Sequence, residues 1–148
     1  MSTITRARRI RFSDCDPAGI IFYPQYFVLF NDLLEEWIDE VCPEGFTGYI
    51  MRRRLGMPTV RVEAEFKHVS RMGDEVVLEL DVVRVGTRSF ELALTCKGPA
   101  GELRMSCRQT LVTSCSGLMN TSGARVQLTP GGCRTGLPST CRIGAIWV

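Results

Sequence analysis

A chain of 148 residues, 45% of them hydrophobic and 23% charged, is long enough to fill one core without disulfide or metal staples. Its net charge of +2 gives no general pull toward nucleic acid or an anionic membrane. No apolar run approaches the ~20 residues of a membrane span.

In chain order, Ile4 to Phe12 predicts a first strand with Ile4, Ile10 and Phe12 on one face. Arg6, Arg8, Arg9 and Arg11 on it, like Arg52, Arg53 and Arg54 later, read as solvated faces rather than phosphate sites. Asp14-Cys15-Asp16-Pro17-Ala18-Gly19 follows, a stiff polar turn holding two carboxylates. The apolar run Ile20-Ile21-Phe22-Tyr23 would set that turn beside the core, where an unpaired carboxylate is costly. Pro24 suits the first turn of a helix predicted from Pro24 to Val41, whose start carries open N–H groups able to receive an oxyanion. Phe27, Phe30, Leu34, Trp37, Ile38 and Val41 recur at helical spacing opposite Asp32, Glu35, Glu36 and Asp39. The first half of this helix is apolar all round, which predicts that other structure wraps it.

A short second helix is expected from Tyr49 to Arg54. Beyond Pro58 the period becomes two: Val60, Val62, Ala64 and Phe66 alternate with charged residues, predicting a half-buried strand. Turns at Gly73-Asp74, Gly86-Thr87 and Gly98-Pro99-Ala100-Gly101 separate three further strands, the last from Leu103 to Thr113. Short turns join antiparallel strands, so residues 1–113 predict an α+β domain in which one sheet curls around a long helix. The Cys/Gly/Thr-rich tail, residues 114–148, has no sustained period and reads as irregular. A shifted reading frame after about Ser114 would produce such text.

Cysteines number seven, none of them in a Cys-x-x-Cys pair, and His68 is the only histidine. That argues against a metal site and against Cys–His or Ser–His–Asp catalysis, and reads as free thiols in a cytoplasmic protein. A carboxylate a few residues before an oxyanion-binding helix end supplies two of the parts that acyl transfer needs.

Over Asp14-Cys15-Asp16-Pro17-Ala18-Gly19-Ile20-Ile21-Phe22-Tyr23-Pro24, then Tyr26 and Gly56-x-Pro58-x-Val60, the chain resembles the hotdog-fold acyl-CoA thioesterases, specifically the 4-hydroxybenzoyl-CoA thioesterase family of Pseudomonas type. The resemblance implies a five- to six-stranded antiparallel sheet wrapped around a long central helix, in homodimers or homotetramers that share active sites. It implies a hydrolase with Asp16 as the catalytic carboxylate, Asp14 in support, and the backbone N–H of Tyr23 polarising the thioester carbonyl. Substrate contacts fall on Asn31, Thr59 and Val60, and coenzyme A contacts on Arg84, Arg88 and Ser89. Coenzyme A enters as part of the substrate, and no cofactor, metal, nucleic acid or membrane partner is implied. Asn31 stands where the family carries a carboxylate that reads a ring hydroxyl. Two other functions fit the fold: a non-catalytic acyl-CoA or acyl-carrier binding module, and a dehydratase, which would want a histidine nearer the loop than His68.

Overall fold

In a computed structural model, which describes residues 3–115, the alternating segments become the strands of one antiparallel sheet. The elements are β1 (Thr3–Arg9), α1 (Pro24–Val41), α2 (Gly45–Met51), β2 (Leu55–Gly56), β3 (Thr59–Phe66), β4 (Glu75–Val85), β5 (Ser89–Lys97), β6 (Leu103–Val112) and β7 (Ser114–Cys115). Five strands pair in the order β1-β4-β5-β6-β3, and β2 pairs with β7 apart from them. The period-two residues Val76, Leu78, Leu80 and Val82 of β4 and Phe90, Leu92, Leu94 and Cys96 of β5 are buried on one face. Against that face lie Tyr26, Phe30, Leu33, Leu34, Trp37 and Ile38 of α1, making one continuous core. This is the predicted α+β hotdog architecture, with α1 at the predicted bounds.

The details that differ have local causes. β1 ends at Arg9, and Phe12 is 83% exposed instead of sharing a face with Ile4 and Ile10. Ile10 closes the strand by bonding Asp74 O and Gly73 N, and the Asp14 carboxylate then accepts the Arg11 N–H, folding Phe12–Asp14 into a tight turn that swings Phe12 outward. α2 begins and ends earlier than the Tyr49 to Arg54 expectation because the Asp39 carboxylate caps the Phe46 N–H at 2.6 Å, after Gly45 at φ 66°. The first half of α1 is not wrapped within one chain, since Val28 is exposed and Phe27 and Leu29 are half-buried.

The largest difference is β3. Alternation predicted half burial, yet every residue of this edge strand is exposed. Val62 pairs with Gln109, which pairs with the fully buried Leu92, so Val62 faces the core side and is still 45% exposed. α1 packs over β4 and β1 and leaves the inner face of β3 uncovered. Of the tail, Ser114 and Cys115 extend as β7 beside β2; the irregular reading of the rest falls outside the described residues.

Arginines of the first cluster are used in structure. Arg6 bonds Glu36 at 2.9 Å and also Glu40, and Arg8 bonds Glu36, tying β1 to the second half of α1. Arg53 makes a forked pair with Glu44, and Arg9 lies 3.6 Å from Glu75.

Candidate active site

The loop between β1 and α1 is built by its own backbone. Asp16 N–H donates to Ile20 O and Gly19 N–H to Asp16 O, both at 2.9 Å, so Pro17 and Ala18 form the corner of a tight turn. Gly19 adopts φ 73°, which an L side chain enters only with strain, and a Cβ there would meet nothing within 4 Å. Gly19→Ala is therefore expected to lower stability by about 1–2 kcal/mol through backbone strain alone, readable by chemical denaturation. An unchanged midpoint would mean that the loop relaxes freely.

Its two carboxylates are in different positions. Asp14 is occupied: its Oδ2 accepts the Arg11 N–H at 2.7 Å and its carbonyl accepts the Phe22 N–H at 2.8 Å. Asp16 is half-buried, and its Oδ1 accepts the Ala18 N–H at 2.8 Å. Its second oxygen accepts no hydrogen bond from the described residues. One carboxylate shapes the turn, and the other keeps a lone-pair face open. Cys15 between them has its thiol pushed up by desolvation and then by the flanking Asp14 and Asp16, so it stays protonated and inert.

Seven residues beyond Asp16, the start of α1 leaves one donor open. Pro24 has no N–H, Gln25 donates to Phe22 O at 2.8 Å and Tyr26 to Tyr23 O at 3.2 Å. The Tyr23 N–H has no acceptor among the described residues, and it sits at the positive end of an 18-residue helix. An open carboxylate oxygen and an open amide donor thus flank the same short apolar run.

This loop rests on the segment that joins β3 to β4. Ile21 N–H donates to Ser70 O at 2.9 Å, Met72 N–H donates to Gly19 O at 3.1 Å, and Ile20 bridges Arg71. The segment is itself fastened by Asp74, whose Oδ2 accepts the Arg71 N–H at 2.9 Å, and by Arg104, which donates to Val69 O and lies 3.5 Å from Asp74. Tyr26 and Ser70, 3% and 0% exposed, bond through their hydroxyls at 2.8 Å. Burial raises the Tyr26 pKa and outweighs the opposing effect of the Ser70 bond, so the phenol keeps its proton.

Beside the loop lies the uncovered inner face of β3. Phe66, 51% exposed, meets the rings of Tyr23 and Tyr26 at 6.2 and 6.0 Å, closing one end with aromatic edges. Farther along, Gln109 donates to the Thr59 hydroxyl at 2.6 Å, a buried amide on the core side of β6. Gln109 had no mark in the sequence beyond being a polar residue at an inward position of the last strand. Asn31 stands exposed on the open side of α1, beside Asp32.

Val60, Arg84 and Ser89, far apart in the chain, come together around a cavity of about 360 Å³ that is also lined by Arg61, Phe90, Glu91 and Thr110. Arg84, Glu91, Thr110 and Arg61 are cross-strand partners in turn, which sets them on the outer face of the sheet. Arg88 lies on the adjoining turn and is not part of the lining; its carbonyl accepts the Thr113 N–H at 2.8 Å. The side chains of Arg84 and Arg88 make no ion pair among the described residues, whereas Arg61 pairs with Glu63 and Glu91 with Arg108. Arg61, Glu91 and Thr110 were missed because only the strand register places them here.

His68 is an exposed residue just past β3, its N–H donating to Arg104 O. Cys15, Cys42, Cys96 and Cys107 are free thiols, and burial pushes Cys96 up to about 12. Among the described residues no cluster of His, Cys, Asp and Glu could hold a metal ion, and no helix is long and apolar enough to cross a membrane.

The family model of the thioesterase-like superfamily matches residues 10–120, which span the loop, α1 and all of β2 to β6. The 4-hydroxybenzoyl-CoA thioesterase of Pseudomonas sp. (strain CBS-3) is 26% identical over 117 residues, 72% of this chain and 77% of that one. A 1,4-dihydroxy-2-naphthoyl-CoA hydrolase of Prochlorococcus marinus is 30% identical over 95 residues, 60% of this chain and 61% of its own length. The solved structure of the 4-hydroxybenzoyl CoA thioesterase from Pseudomonas sp. strain CBS-3 superposes with a TM-score of 0.66 at 26% identity, over 75% of this chain and 84% of that one. With the match running through both the loop and the sheet that carries it, the chain belongs to the thioesterase-like superfamily and is a thioester hydrolase of the hotdog fold.

Proposed function

We propose that this chain hydrolyses an aryl- or acyl-CoA thioester of the 4-hydroxybenzoyl-CoA kind, with Asp16 as the reacting carboxylate and the Tyr23 N–H as the oxyanion donor. The observation that carries the reading is the pairing of one open Asp16 oxygen with one open amide at the start of α1. Two routes use these parts. As a general base, Asp16 takes a proton from water while the water oxygen attacks the carbonyl carbon. The oxyanion is held at Tyr23, and its collapse breaks the C–S bond and expels the coenzyme A thiolate. As a nucleophile, Asp16 attacks the carbon itself and expels the thiolate, leaving a mixed anhydride that water cleaves to the acid and the free carboxylate.

The acyl group lies along the uncovered inner face of β3, with Asn31 on α1 and Thr59 at the far end; Val60, at the irregularity of β3, reaches it from the cavity around Arg84. Hydroxyaryl thioesters are favoured because both relatives named above carry such groups in their names, and Thr59 with Gln109 offers a hydroxyl and an amide to a polar ring substituent. Coenzyme A enters only as part of the substrate, its phosphates meeting Arg84, Arg88 and Ser89. A second copy, pairing its β3 with this one in a homodimer, covers the open inner face of β3 and removes an exposed strand edge; dimers of dimers use the same unit. A cytoplasmic location suits free thiols and a coenzyme A substrate.

Hydrolysis of a panel of aryl, short-chain and medium-chain acyl-CoAs, followed by thiol release, tests the reading. The panel should show turnover with at least one thioester and the highest kcat/KM among the hydroxyaryl members. Tight binding with no turnover of any thioester would replace the enzyme by an acyl-CoA binding module. Arg84→Ala and Arg88→Ala are each expected to raise KM severalfold at constant kcat, because phosphate contacts remote from the carbonyl hold substrate and transition state alike. Equal KM values for variants and parent would return both arginines to solvated surface.

A further inference from the structure

We infer that Tyr26 and Ser70 are a positioning pair, which sets the separation between the Asp16 carboxylate and the Tyr23 N–H; this rests on the roles proposed above for those two groups. The two halves of the site belong to different elements. Tyr23 starts α1, whereas Asp16 belongs to a loop laid along residues 70–72. Ser70 touches both. Its carbonyl receives the Ile21 N–H of the loop at 2.9 Å, and its hydroxyl meets the Tyr26 hydroxyl at 2.8 Å, from the first turn of the helix. Tyr26 in turn donates its N–H to Tyr23 O, so the residue gripping Ser70 also holds the helix start in place.

Chemistry and burial agree with this role. Both hydroxyls are shut away from water, so each depends on the other for a partner, and the bond has one short geometry instead of a choice of solvated ones. The segment carrying Ser70 is rigid on its own account, held by Asp74 to Arg71 and by Arg104 to Val69. The helix is thereby referenced to a fixed support and the loop hangs from the same support. Neither hydroxyl takes part in the reaction. Acyl transfer is sensitive to such spacing, since a misplacement of about 1 Å is worth roughly a hundredfold in rate.

The test separates positioning from simple stability. Tyr26→Phe leaves the Ser70 hydroxyl buried without a partner and should lower stability, whereas Tyr26→Phe with Ser70→Ala removes both polar groups and should fold nearly as well as the parent. Positioning predicts that kcat falls roughly ten- to hundredfold in the single variant and stays low in the double variant, with KM within about twofold of the parent in both. Amide exchange at Ile21 should quicken in both. A double variant that regains stability and parental kcat together would overturn the inference, leaving the pair as core packing. A parent chain that hydrolyses no thioester would instead overturn the catalytic reading, and this inference with it.

Discussion

Asp16→Asn is expected to lower kcat by roughly a thousandfold or more while leaving KM near its parental value. The substitution keeps the size of the side chain and its ability to accept the Ala18 N–H, so the turn survives. It removes the charge, and an amide oxygen can neither take a proton from water nor attack a thioester. With coenzyme A held at Arg84, Arg88 and Ser89 as proposed, binding should persist, and should tighten if the carboxylate repels the polarised carbonyl. Asp14→Asn should do far less, because an amide oxygen still accepts the Arg11 N–H that shapes the turn. A single-turnover assay on both variants decides the matter. Near-parental hydrolysis by Asp16→Asn with a dead Asp14→Asn would exchange the two roles, and full activity in both would reduce the loop to a turn.

The second large effect is expected at the open edge. Val62→Lys should leave the chain folded, since Val62 is already 45% exposed, but should turn a dimer into a monomer and lower kcat/KM by roughly tenfold or more. Two β3 strands pairing edge to edge would bring two like charges close together over an apolar face, where neither is well hydrated. Light scattering at micromolar concentration reads the association directly. A parent that is a stable monomer, or a Val62→Lys variant that remains a fully active dimer, would remove β3 as the interface.

These effects were unequally visible in the sequence. Pro24–Val41 could be placed to the residue because a proline fixes its start and the helical period runs through to Val41. The loop was legible for a similar reason: Asp-Pro and Gly19 constrain the backbone locally, and the helix start follows at once. Burial of β3 was not legible, because alternation reports which side a residue faces and not whether anything lies there. The Tyr26–Ser70 bond joins residues 44 apart; Tyr26 belongs to the resembling stretch, but nothing at Ser70 carries a periodic or motif signal that would pair the two. The cavity around Arg84 is likewise a product of register, since Arg61, Glu91 and Thr110 meet only after three strands align. Phe12 misled because strand propensity was extended past Ile10, where a side-chain cap from Asp14 overrides it.

The sheet order also dictates when the chain can fold. β1 is synthesised well before its partner β4, with Thr3 opposite Asp81, so it must wait until the intervening chain has been made. β3 waits in the same way for β6, with Thr59 opposite Leu111. Only β4, β5 and β6 have neighbours in sequence as neighbours in space, and their two hairpins are the contacts that close with little loss of chain entropy. During synthesis α1 therefore emerges with its apolar stripe before β4 and β5, which supply the face that buries it. Folding of the isolated chain should accordingly begin at the hairpins of β4, β5 and β6 and finish by adding β1 and β3 at the two edges.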